Sequence, residues 1–205
     1  MSQGFLGIDY AAMLAEVRPN LPLLREAITV GGEAPGLRPY ADVLARGGDR
    51  AAQAEVARRG DAIDPNDCVF ILYTSGTTGH PKGAMLSHVN MAENARQITE
   101  VLHATEEDIF LLPVPFFHCF GCVMGILGAV TWGAGIVPVP VFKADVALDL
   151  VQKHRVSVLY GVPTMFVLEL EEQRKAAAAG RPYDVASLRT GIMAGSLCPI
   201  ETMRA

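Results

Sequence analysis

The chain has 205 residues, 50% of them hydrophobic and 19% charged, with a net charge of −5 and a mean hydropathy of +0.27. That balance excludes a mainly disordered chain and predicts one domain or two. With no basic patch and only 7% aromatic residues, the sequence carries neither a nucleic-acid footprint nor a stacking platform for single strands. Four cysteines do not make a disulfide scaffold. They read as reduced thiols in a cytoplasmic protein, and the amino terminus lacks the pattern of a secretory signal. Peripheral contact with a membrane and the oligomeric state stay open.

Residues 1–62 differ from the rest in being rich in Ala, Arg, Gly and Glu. Short helices are predicted at Tyr10–Val17 and Tyr40–Ala45, a short strand at Ala27–Val30, and a Gly/Pro-rich loop at Gly31–Pro39. Arg46–Asp61 reads as either a surface helix or a mobile approach. The signal sharpens at Cys68–Tyr73 (CVFILY), an apolar run of strand length that predicts a strand buried on both faces. After the loop Thr74–Gly83, Ala84–Leu86 reads as a short strand. Ser87 is a helix N-cap, with Met91, Ala95, Ile98 and Leu102 at helical spacing toward the core. Strands follow at Ile109–Val114, Gly135–Val139, Ser157–Tyr160 and Leu188–Met193. Helices are predicted at Gly121–Thr131, Asp145–His154, Thr164–Ala178 and from Pro199 onward. Alternation at this spacing predicts an α/β fold, a largely parallel sheet with flanking helices.

From Ile109 to Phe142 the chain has no Asp, Glu, Lys or Arg, long enough to span a bilayer. Pro113, Pro115, Pro138, Pro140 and five glycines interrupt it, so a buried strand–helix–strand unit is the better reading.

The chemistry is concentrated in Thr74-Ser75-Gly76-Thr77-Thr78-Gly79-His80-Pro81-Lys82-Gly83. Glycines let a backbone approach an anion, hydroxyls donate to phosphate oxygens, and Lys82 brings positive charge. This is the composition of a polyphosphate cradle. It is not a Walker A loop, because Pro81 precedes Lys82 and Gly83 follows it. Cys119 and Cys122 form a lone Cys-x-x-Cys, which needs a second pair to suggest a metal or redox site.

Residues 73–84, Tyr-Thr-Ser-Gly-Thr-Thr-Gly-His-Pro-Lys-Gly-Ala, resemble the signature of the adenylate-forming (AMP-binding) superfamily. Ser87-His88-x-Asn90, Pro113-Val-Pro-Phe-Phe-His118-Cys-Phe-Gly121, Tyr160-Gly-Val-Pro163-Thr164 and Leu188–Pro199 resemble further motifs in that family's order. The wording Met-Ala-Gly-Ser-x-Cys-Pro is most similar to fatty-acyl-CoA synthetases. The resemblance is firm over 67–205 and weak over 1–66.

The resemblance implies part of the large N-terminal adenylation domain. It also implies ATP-dependent activation of a carboxylic, expectedly fatty, acid to an acyl-adenylate and then to acyl-CoA. Coenzyme A would be co-substrate and Mg²⁺ a cofactor. Thr74, Ser75, Gly76, Thr77, Thr78, Gly79 and Lys82 would hold the phosphates, with Thr74 also near Mg²⁺. Lys82 and His118 would act at the reacting centre, and Gly195 and Ser196 would line the adenine and acyl pocket. The family's later motifs, which supply a Glu for Mg²⁺, an Asp for ribose and a catalytic Lys, are not in this sequence. The chain therefore reads as an internal fragment that would be inactive alone. Alternatives are a non-catalytic nucleotide-binding fragment, an aryl-CoA ligase or a peptide-synthetase adenylation domain. A P-loop-like phosphotransferase is disfavoured by the missing hydroxyl after Lys82.

Overall fold

A computed structural model describes residues 2, 4–5, 7–75 and 79–204. They form two units, Met1–Asp64 and Pro65–Ala205.

In the first unit, β1 (Gly4–Phe5) and β2 (Ile8–Asp9) pair antiparallel. The Asp9 carboxylate accepts from the Ala12 N–H at 2.9 Å and so caps α1 (Tyr10–Val17). β3 (Ile28–Thr29) and β4 (Arg38–Pro39) pair in parallel, so the predicted loop over 31–39 ends in a strand of two residues. α2 (Tyr40–Leu44) follows. The ambiguous polar segment resolves as α3 (Arg50–Asp61), capped by Asp49. Thr29 alone is fully buried among this unit's described residues.

The second unit opens with a hairpin, β5 (Cys68–Thr74) against β6 (Lys82–Ser87), antiparallel. α4 (His88–Val101) begins with a capping box. Asn90 N–H donates to the Ser87 hydroxyl at 3.2 Å, and the Asn90 side chain accepts from Ser87 N–H at 3.1 Å. Then come β7 (Ile109–Leu112), a π-helix (Phe120–Leu127) continuing into α5 (Gly128–Thr131), and β8 (Gly135–Pro138). α6 (Ala144–His154), β9 (Val158–Gly161), α7 (Pro163–Ala178), β10 (Thr190–Met193) and α8 (Ile200–Arg204) complete the alternation.

The four strands β7–β10 form one all-parallel sheet in the order β10–β9–β7–β8. Successive residues of a strand point to opposite faces. Phe110, Leu112, Val158 and Tyr160 accordingly meet Phe120 and Ala129 of the helix on one side. Leu111 and Leu159 meet Ala147, Val151 and Val156 on the other. Helices on both faces explain why these strands read as unbroken apolar runs. Each large side chain so buried contributes about 1.5–3 kcal/mol. No helix among the described residues is long and apolar enough to cross a membrane.

Two sequence expectations need correction. CVFILY is not buried on both faces. Phe70 and Leu86 of the hairpin pack with Met91, Ala95 and Val123, whereas Ile71 is 55% and Tyr73 74% exposed. The hairpin stands outside the parallel sheet and α4 covers one face of it, so alternate side chains remain in solvent. The helix predicted over Gly121–Thr131 is π-wound for most of its length. In α4, Thr99 is buried along with Met91 and Ala95, while Ile98 and Leu102 are only partly so.

Candidate functional site

The hairpin register places Thr74 directly opposite Lys82. The two strands therefore run further than the sequence suggests, β5 to Thr74 and β6 from Lys82. Gly83 faces Tyr73. A Cβ on Gly83 would lie 2.9 Å from Ile71 Cγ2, so any other residue would force the outward Ile71 side chain of β5 to move off β6. Thr74, Ser75 and Lys82 are exposed, and Gly79 has φ +82°, a conformation that favours glycine. Lys82 makes no ion pair with any described residue. Gly76, Thr77 and Thr78 lie outside the described residues.

The remaining predicted positions gather at the carboxyl ends of the parallel strands, the edge at which open α/β sheets bind ligands. β7 leads into Pro113–His118, β9 into Val162-Pro163-Thr164, and β10 into Ala194-Gly195-Ser196. The last two segments touch. Ala194 N–H donates to Gly161 O at 3.2 Å, and a Cβ on Gly195, where φ is +93°, would lie 3.2 Å from Val162 Cγ1. The Cys198 thiol folds back on this turn and donates to Met193 O at 3.2 Å. That gives one of the unassigned cysteines a structural use.

His118 is exposed, but its ring is held. Nδ1 accepts the Phe120 N–H at 3.1 Å, and Cys119 Sγ lies 3.6 Å away. A neutral ring that accepts at Nδ1 carries its proton on Nε2, so His118 presents an N–H donor. Cys119 and Cys122 pack in the same apolar cluster as Phe70 and Leu86. This cluster joins the hairpin bearing Thr74 and Lys82 to the helix that follows His118. Among the described residues no three His, Cys, Asp or Glu side chains come together as a metal site.

At the opposite, amino-terminal edge lies a network that sequence reasoning missed. Asp108, Ser157 and Arg189 precede β7, β9 and β10. The buried Asp108 carboxylate accepts from the Ser157 hydroxyl at 2.6 Å, Arg189 Nε at 2.9 Å, Arg189 Nη2, and the Thr105 N–H at 2.9 Å. Arg189 also donates to Leu102 O and His103 O beyond the end of α4. Burial pushes the Asp108 carboxyl up. The Arg189 guanidinium, the Ser157 hydroxyl and the Thr105 N–H outweigh it and hold the group down at about 2.

A hairpin with exposed Thr74 and Lys82 at its mouth, joined through one apolar cluster to the helix after His118, accompanies an all-parallel four-stranded sheet. The chain belongs to the AMP-binding enzyme family, whose pattern it matches over residues 8–205. It is 43% identical, over 90% of its length, to a putative acyl-CoA synthetase, YngI, of Bacillus subtilis, covering 33% of that protein. It is 36% identical to the mitochondrial medium-chain acyl-CoA ligase ACSF2 of Rattus norvegicus, over 91% of this chain and 30% of that one. The chain thus spans about a third of the length of these curated relatives. Among solved structures it resembles ATP-bound MatB from Rhodopseudomonas palustris, with a TM-score of 0.60 and 31% identity. That match covers 69% of this chain and 27% of MatB.

Proposed function

We propose that this chain supplies the phosphate-binding part of an acid–thiol ligase that converts a carboxylic acid, of the fatty class, to its acyl-adenylate and then to acyl-CoA. The observation that carries the reading is the Thr74–Lys82 pair across the mouth of the hairpin, which sets a hydroxyl and an ammonium with no ion pair among the described residues at the ends of the glycine-rich loop. In the first step a carboxylate oxygen attacks the α-phosphorus of ATP and pyrophosphate leaves. Both reactants are anionic, so the protein's task is positioning and charge neutralisation. Lys82, Thr74, Ser75 and the loop N–H groups would hold the departing phosphates. The Nε2–H of His118 would donate to the carboxylate or acyl oxygen, and the Gly195–Ser196 turn would let adenine and acyl chain approach the backbone. Thr74 offers Mg²⁺ one hydroxyl oxygen, which fits a hard cation held mainly by phosphate and water. The medium-chain specificity of the ACSF2 relative belongs to that protein and supports the fatty class only by similarity.

With no acidic cluster among its described residues, the chain alone is expected to bind ATP without turnover. The test is a chimera that carries residues 67–205 in place of the matching segment of the Bacillus subtilis relative. Acid-dependent exchange of pyrophosphate into ATP is expected, and Lys82→Ala should lower it about a hundredfold or more. Exchange that survives Lys82→Ala unchanged refutes the assignment of Lys82.

A further inference from the structure

The π-helix over Phe120–Leu127 is long for its kind, since such turns occur mostly singly and often beside functional sites. Two glycines within it, and a third at the start of α5, let it lie close to its neighbours. A Cβ would come 2.4 Å from Pro115 O at Gly121, 3.0 Å from Leu112 Cδ1 at Gly125 and 2.7 Å from Thr99 Cγ2 at Gly128. One side chain from the sheet also takes hold of it. Tyr160 is fully buried, stacks on Phe120 with ring centroids 5.5 Å apart, meets Phe110 edge-on at 5.7 Å, and donates its hydroxyl to Met124 O at 3.2 Å. Met124 is in the middle of the wide turn. Phe120 is the residue whose N–H occupies His118 Nδ1.

We infer that Tyr160 is a positioning residue for His118: by stacking on Phe120 and holding the Met124 carbonyl it fixes the π-helix, and through the Phe120 N–H it fixes the ring and tautomer of His118. Tyr160 also stands two residues before the Val162–Thr164 segment, so one side chain sets the distance between two of the segments at the carboxyl edge. The inference deepens the proposed adenylation, in which His118 is a donor. Its test needs no turnover.

The experiment is ¹⁵N NMR of the imidazole nitrogens in the full 205-residue chain at about pH 8, well above the ordinary histidine value. In the wild type, His118 should show a bare acceptor Nδ1 and a protonated Nε2. Tyr160→Phe keeps the ring stack and removes only the hydroxyl. It should move both nitrogens toward the averaged position of mixed tautomers and speed amide exchange across Phe120–Leu127. Phe120→Leu, which removes the stack, should do the same. Thr131→Val removes an equivalent side-chain bond to the same helix, from the Thr131 hydroxyl to Leu127 O at 2.8 Å, and should leave the imidazole signals in place. Unchanged His118 signals in Tyr160→Phe overturn the inference, as do equal shifts in Thr131→Val. Loss of exchange activity in the chimera bears on the adenylation reading alone.

Discussion

Asp108 and Glu169 are both nearly inaccessible carboxyls, and their surroundings drive them in opposite directions. Asp108 has Arg189, Ser157 and the Thr105 N–H, and titrates at about 2 rather than the ordinary 3.8. Its stabilisation is present above about pH 4 and is lost as pH falls through 2, an effect of roughly 2 kcal/mol. Arg189→Ala strands the carboxylate and is expected to cost about 3 kcal/mol, read by urea unfolding at neutral pH. Glu169, 6% exposed on α7, has no partner among the described residues, and burial pushes it up from 4.5 to about 7. Its folded state prefers the proton, so stability is highest below pH 4.5 and declines as pH rises through 7. Glu169→Gln should remove that decline, and a melting temperature that falls equally in both proteins between pH 5 and 8 would refute it. Neither carboxyl's behaviour is readable from the residues alone. Asp108 lies 49 residues from Ser157 and 81 from Arg189, and no local spacing records such a meeting.

At the level of elements, the hairpin and the helices were legible to different degrees. The segments of β7 and β9 read correctly as strands, and helices cover both of their faces. CVFILY has the same apolar character, but only alternate residues of its strand find a layer to pack on. Phe70→Ala should therefore cost at least about 2 kcal/mol. Ile71→Thr, one residue away on the outer face, should stay within about 0.5 kcal/mol. Thermal melts of the two variants check this, and equal losses would mean that both faces are covered in solution. The capping of α4 was readable in Ser87 because the bond is local. The π winding was not, because FGCVMGIL is apolar on every side and has no periodicity to report its pitch. What meets that winding, Tyr160 of β9 at the Met124 carbonyl and Thr99 of α4 at Gly128, comes from elements distant in the sequence. The string 74–83 stands out in the sequence by its hydroxyls, glycines and lysine, but that composition did not reveal that Thr74, Lys82 and Gly83 belong to the paired strands.

For the whole molecule, the two titrations combine into one expectation. Asp108 withdraws support below about pH 4 and Glu169 above about pH 5, so the melting temperature should peak between them, on the acid side of neutrality. A differential scan over pH 3–8 tests this, and a peak at pH 7 or above would show that other groups dominate. The parallel sheet also divides its labour between its two edges. Asp108, Ser157 and Arg189 tie the starts of three strands and the end of α4 into one knot. No comparable ion pair among the described residues binds the carboxyl ends. The knot makes the fold tolerant of novelty at the opposite edge. Randomised libraries at Phe116, Phe117 and Leu197, all exposed, should yield mostly folded proteins, while the same diversity at the knot should yield few. A descendant of this chain can thus vary its loops at that edge without first having to repair its scaffold.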